Sequence, residues 1–192
     1  MCIRDSYHGL EMKSRKVIFC LDVSASMEWN DRITDARQEL LRLIDTLNDS
    51  VSFNIITFSG DVRIWNRRGV QPGTMDNLES AKRFVERARI ASDGTNTVGA
   101  LTEALLDEEV QSIYFLSDGH PTTGITTDSD AILRCVRDLQ DGRKVAIHTI
   151  AYIKGDPPPQ WRNRVPPKDR LIDLMMRLAA QNNGQCVVFD ED

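Results

Sequence analysis

At 192 residues, with 41% apolar residues and a formal net charge of −5, the chain is long enough for one fully cored α/β domain and short for two. Its basic residues are scattered along a mildly acidic sequence, which gives a nucleic-acid backbone no electrostatic track. No apolar run approaches the ~20 residues that span a bilayer, so membrane insertion by this segment is not expected.

The first six residues, Met1-Cys2-Ile3-Arg4-Asp5-Ser6, read as the in-frame translation of a sequencing adapter, and residues 7–13 as a linker from a missing upstream region. On that reading the domain occupies residues 14–192, further domains of the same chain lie upstream, and the compartment is not legible.

Residues 16–21 form an apolar run rich in β-formers, as expected of a strand buried on both faces. After the Asp22-Val23-Ser24-Ala25-Ser26 loop, Ile33, Ala36, Leu40, Leu43, Ile44 and Leu47 recur at helical spacing, predicting an amphipathic helix over about residues 31–48. Residues 51–58 are the second strand. The tight Ser59-Gly60-Asp61 turn into residues 62–65 predicts an antiparallel hairpin at a sheet edge.

Leu78, Ala81, Phe84, Val85 and Ala88 give one face to a helix over residues 74–89, and a shorter helix over about residues 98–106 follows the Thr95 loop. Next come a strand at residues 110–116, a helix at 130–140 and a strand at 144–152. A helix at about 169–182 is stopped by Asn183-Gly184 and leads into a strand at 185–189. Alternating apolar strands and amphipathic helices predict a doubly wound α/β fold. Its sheet is six-stranded and mostly parallel, with one antiparallel edge strand and helices on both faces.

Apart from Cys2, the cysteines Cys20, Cys135 and Cys186 are odd in number, lack C-x-x-C spacing and read as free, buried thiols. His148, inside an apolar strand, reads as a satisfied core histidine.

Three stretches carry the chemistry. Asp22-Val23-Ser24-Ala25-Ser26, Asp93-Gly94-Thr95-Asn96-Thr97 and Leu116-Ser117-Asp118-Gly119 place hydroxyls and carboxylates, without sulfur or imidazole, where strands give way to loops. That donor set suits a hard cation such as Mg²⁺. In open parallel sheets ligands sit beyond the carboxyl ends of the strands, where Asp22 and Asp118 both fall. Asp22, Ser24 and Ser26 alone are equally compatible with a helix cap; the conjunction with Thr95 and Asp118 favours the metal.

Together these stretches, the last extended through His120-Pro121-Thr122, resemble the metal-ion-dependent adhesion site of von Willebrand factor type A domains. The wording around Asp118 is most similar to the bacterial and inter-alpha-trypsin-inhibitor-like branch. The resemblance runs from about residue 14 to 189 and implies a Rossmann-like sheet with one antiparallel edge strand and Mg²⁺ or Mn²⁺ held at its top. It implies Ser24 and Ser26 as direct ligands, Thr95 directly or through water, and Asp22 and Asp118 directly or through waters. Ala25 stands where many relatives carry glycine.

With two carboxylates and three hydroxyls the ion keeps positive character and one position open to water, which an acidic residue of a partner could displace. The loop over residues 153–168 should emerge on the same face. It sets Trp161, Arg162, Arg164 and Lys168 among five prolines, a stiff basic set suited to an acidic partner, although a solvated insertion fits as well. His120, beside Asp118, is a candidate for the rim.

The function expected is therefore a metal-ion-dependent protein-binding module for adhesion or assembly that coordinates a carboxylate of a protein or peptide, and not an enzyme. One alternative is a Mg²⁺-dependent phosphatase-like hydrolase with Asp22 as nucleophile, although that chemistry wants a carboxylate where Ser24 stands. Another is an intramolecular regulatory domain of a larger protein.

Overall fold

The computed structural model describes residues 6–7, 10–12 and 14–190; most of the segment read as an adapter and part of the segment read as a linker lie outside the described residues. At the start, β1 (Ser6–Tyr7) and β2 (Leu10–Glu11) pair antiparallel as a ribbon separate from the main sheet.

The main sheet comprises β3 (Lys16–Asp22), β4 (Ser52–Phe58), β5 (Val62–Ile64), β6 (Gln71–Pro72), β7 (Ser112–Ser117), β8 (Ala146–Tyr152) and β9 (Cys186–Phe189). Between them lie α1 (Arg32–Thr46), α2 (Met75–Arg87), α3 (Thr97–Leu105), α4 (Ser129–Gln140) and α5 (Lys168–Gln181). The strand order is β5-β4-β3-β7-β8-β9, with β5 antiparallel on β4 at the edge and the rest of that path parallel. All six expected strands are therefore present. The two-residue β6 is an addition, also antiparallel on β4, and it contains Pro72, a residue tolerated in sheets chiefly at edges.

Alternation along the central strands divides the apolar residues between two cores. Val17, Phe19 and Leu21 of β3 face α1 and α2, whereas Ile18 and Cys20 face the side covered by α3, α4 and α5. Burial on both faces explains why the strands read as continuous apolar runs. Thr74, Asn96 and Asp128 start α2, α3 and α4 with side chains that accept the amide hydrogens of Asn77, Gly99 and Ala131.

The structure departs from the expected 31–48 helix at its beginning. A 3-10 segment, Ala25–Asp31, leaves the Ser24 loop and breaks at Trp29, and Asn30 and Asp31 take φ of 53° and 58° before α1 begins at Arg32. Asn and Asp are the side chains that best tolerate this left-handed region. Gly184 closes the turn into β9, and there a Cβ would lie 1.8 Å from the carbonyl oxygen of Ile147.

Two smaller expectations need adjustment. All three described cysteines are free, but only Cys20 is buried, and Cys135 and Cys186 are half-buried. His148 is half-buried on β8 rather than fully buried in the core, stacked on Tyr114 with centroids 4.8 Å apart, and its Nδ1 accepts the Gln185 amide hydrogen at 3.2 Å. Burial holds its imidazole below the ordinary pKa of 6.5.

Candidate metal centre

The chain leaves β3 for α1 and β4 on one side and returns to β7 on the other, so the crevice beyond β3 and β7 is the switch point of the sheet. Register pairs Leu21 with Leu116, which brings Asp22 level with Ser117 and sets Asp118 one residue beyond. Both carboxylates are buried.

Each is held by groups near it in sequence or across the strand pair. Asp22 Oδ1 accepts the Ser24 amide hydrogen at 2.8 Å, and its Oδ2 accepts the Ser117 hydroxyl at 2.6 Å. The same Ser117 oxygen accepts the Gly119 amide hydrogen at 3.1 Å, tying the loop after β7 into the network. Asp118 Oδ1 accepts the His120 amide hydrogen at 3.1 Å.

Ser24 precedes the 3-10 segment but makes no side-chain capping bond; its hydroxyl lies 3.2 Å from that of Ser26. Ser24 therefore does not cap this segment with its side chain. Ser24 itself is fixed by a backbone bridge to Ala91, whose amide hydrogen reaches the Val23 carbonyl at 2.9 Å.

Thr95 is buried, with backbone bonds to two loops. Its amide donates to Thr122 Oγ1 at 2.9 Å, its carbonyl accepts from the Thr122 amide at 3.1 Å, and the following Asn96 amide donates to the Ser59 carbonyl at 2.7 Å. The Thr95 loop is thereby fastened both to the loop after β4 and to the segment following Asp118.

Electrostatics bear on what this arrangement could hold. Burial, reinforced by Asp118, raises the Asp22 carboxyl to about 7 against the hydrogen bonds from Ser117 and Ser24. Two carboxylates in one desolvated crevice repel, and a cation between them reverses the sign of that interaction. Among the described residues no group of three or more His, Cys, Asp or Glu side chains gathers as a metal cluster. The site is hydroxyl-rich with two carboxylates, a donor chemistry that fits a hard divalent ion and not a soft one.

Arg32 was not anticipated from the sequence. Only 4% exposed, it places its NH1 3.3 Å from Asp118 Oδ2, while Nε and NH2 donate to the Lys154 carbonyl at 3.1 and 2.9 Å. Burial lowers its pKa, opposed by Asp118 and then by Asp190. A basic residue in the first turn of a helix, where the dipole disfavours it, was the available signal.

Trp161 and Arg164, two of the residues expected at the rim, lie close to this arginine through Trp29. Trp29 lies under the Arg32 guanidinium at 5.9 Å and pairs with Trp161 at 6.2 Å, so the proline-rich loop leans on the segment that follows Ser26. Arg164 covers the other part of Trp161 at 5.4 Å, and Arg162 Nε donates to the Pro157 carbonyl at 3.4 Å. A cleft of about 280 Å³ opens there, lined by Trp29, Arg32, Arg162, Pro167 and Lys168 among others. His120 is half-buried beside Asp118; burial holds its imidazole below the ordinary value, against the pull of that carboxylate.

Comparison with known proteins gives concordant findings. The family model for the von Willebrand factor type A domain matches residues 17–120, more than half of the chain. Human inter-alpha-trypsin inhibitor heavy chain H6 is 30% identical over 191 residues, covering 92% of this chain, which spans only 13% of that relative's length. Among solved structures, the conserved hypothetical protein BatB of Bacteroides thetaiotaomicron superposes with a TM-score of 0.64 at 20% identity, covering 93% of this chain and 92% of the other. Proximal thread matrix protein 1 of the mussel byssus, solved with zinc in its adhesion-site motif, superposes with a TM-score of 0.64 at 12% identity, covering 93% and 44%.

Proposed function

This chain belongs to the von Willebrand factor type A domain family, and from that premise we propose that it is a metal-dependent protein-binding module whose site is Asp22, Ser24, Ser26, Thr95 and Asp118. Domains of this family are generally metal-dependent protein-interaction modules. The observation that carries the reading is the pair of buried carboxylates at the ends of adjacent parallel strands, with the Ser24 and Ser26 hydroxyls 3.2 Å apart in the loop that follows Asp22.

Ser24 and Ser26 would hold Mg²⁺ or Mn²⁺ directly, with Thr95 closing the far side and Asp22 and Asp118 supplying the negative charge. The bound ion would act as a Lewis acid with one position left for an oxygen from outside. A carboxylate of a protein or peptide partner is the expected occupant. Trp161, Arg162, Arg164 and His120 would meet the residues around that carboxylate, since the aromatic and guanidinium groups beside the site are typical interface anchors. Adhesion between proteins and assembly within a larger complex use the same contact.

Hydrolysis by Asp22 is disfavoured by its surroundings. Both of its oxygens are engaged, by the Ser24 amide and the Ser117 hydroxyl, and the position two residues on is a serine with no acid to give.

Isothermal titration with MnCl₂ and MgCl₂ tests the site. The chain should bind one ion, and Asp118→Ala and Ser24→Ala should abolish binding while leaving the far-ultraviolet circular dichroism unchanged. Undiminished affinity in either folded variant rejects the assignment.

A further inference from the structure

Arg32 occupies a place that a helix does not favour for a cation. It opens α1, where the helix dipole is positive, and it is almost wholly withdrawn from water. Its charged partner in the crevice is Asp118, at 3.3 Å. Asp190 also acts on it, but that carboxylate is already paired with Lys168 at 2.6 Å. A buried guanidinium thus sits against one of only two carboxylates that the site possesses.

We propose that Arg32 is an affinity-setting residue of the cation site: its fixed positive charge beside Asp118 keeps the site weak for a divalent ion until a partner carboxylate arrives. The inference rests on the site assignment above and deepens it. With a bound cation holding both ionised, Asp22 and Asp118 bring two negative charges and Arg32 returns one positive, so the crevice presents a net charge of minus one to that ion. A divalent ion leaves it at plus one. One carboxylate from a partner makes it neutral, so cation and acidic partner each favour the other's binding by the same factor. Without Arg32 the ion alone would neutralise the crevice, and the partner would gain little from charge.

Arg32 also clamps the loop after β8, through the Lys154 carbonyl and, at 3.5 Å, that of Gly155. A purely structural role would rest on that clamp. The two roles separate by substitution, because lysine keeps the charge and loses the planar fork, while glutamine and methionine keep much of the bulk and lose the charge.

The experiment is titration of MnCl₂ into the wild type, Arg32→Gln, Arg32→Met and Arg32→Lys, followed calorimetrically, with and without excess sodium acetate as the carboxylate probe. Thermal melts of each variant check folding. The proposal expects affinity for Mn²⁺ to rise about tenfold or more in Arg32→Gln or Arg32→Met, the scale of losing one nearby unit charge in a partly desolvated site. It expects acetate to tighten Mn²⁺ binding in the wild type and to do so less in the neutral variants, and Arg32→Lys to stay near the wild-type affinity.

Equal or weaker binding by a folded neutral variant overturns the proposal. So does a tenfold change in Arg32→Lys, which would assign the effect to the clamp and stands even if neither neutral variant folds. Absence of Mn²⁺ binding by the wild type instead removes the site assignment itself, and this inference with it.

Discussion

The Ser117 hydroxyl reaches across from β7 to donate to Asp22 Oδ2 of β3 at 2.6 Å, while accepting the Gly119 amide hydrogen at 3.1 Å. One buried oxygen therefore joins the ends of two strands to the loop that carries Asp118. Ser117→Ala should leave Asp22 short of a donor in a place water does not reach. A loss of about 1–3 kcal/mol of stability is expected in urea denaturation, and saturating Mg²⁺ should restore part of it.

Binding of a cation to the folded chain alone stabilises it by mass action, by about 2.7 kcal/mol at a hundredfold excess over the dissociation constant. Melting temperature should accordingly rise with Mn²⁺ concentration and fall back on adding EDTA. In Asp118→Ala the same series should be flat. A wild-type melt unmoved by either reagent would contradict the assigned site.

Acid sensitivity should come in part from His148. Its imidazole is held below 6.5 by burial, so the unfolded chain binds this proton more readily than the folded one. The associated stability is present above about pH 6.5 and is lost as pH falls through the lower, folded value. His148→Phe, which can still stack on Tyr114, should flatten the decline in stability below pH 6.5; an unaltered pH profile would show that the proton goes elsewhere.

Gly184→Ala should be among the most damaging small substitutions. The added methyl would stand 1.8 Å from the Ile147 carbonyl oxygen, a backbone atom that cannot swing aside, so β9 would have to leave β8. A loss of about 3 kcal/mol or more is expected by chemical denaturation. An effect below 1 kcal/mol would mean that the turn relaxes freely.

Much of the fold was legible because the sheet is covered on both faces. Continuous apolar runs such as 16–21 and 3.6-residue stripes such as Leu78, Ala81 and Val85 have few other homes. The candidate donors were legible too, because Asp22, Ser24, Ser26, Thr95 and Asp118 are small polar residues at places where apolar periodicity ends. What local pattern could not give was contact between distant segments. Arg32 stood out in the sequence only by its place in the first turn of a helix, and its burial comes from the packing of β8's following loop against α1. The Trp29–Trp161 pair and the short β6 are of the same kind, and the kink at Asn30 and Asp31 depends on backbone angles that a helical stripe of side chains does not encode.

The proposed donors come from residues 22–26, 95 and 118, segments far apart in sequence, with β3 paired to β7 and the Thr95 loop fastened to Thr122. No short peptide cut from this chain reproduces the set. If docking of the Thr95 loop comes after the rate-limiting step, a captured ion would act on the way out of the native state rather than on the way in: unfolding slows while the rate of folding stays the same. Under pulling or proteolysis, the lifetime of the folded chain would then be set by how long the crevice stays filled.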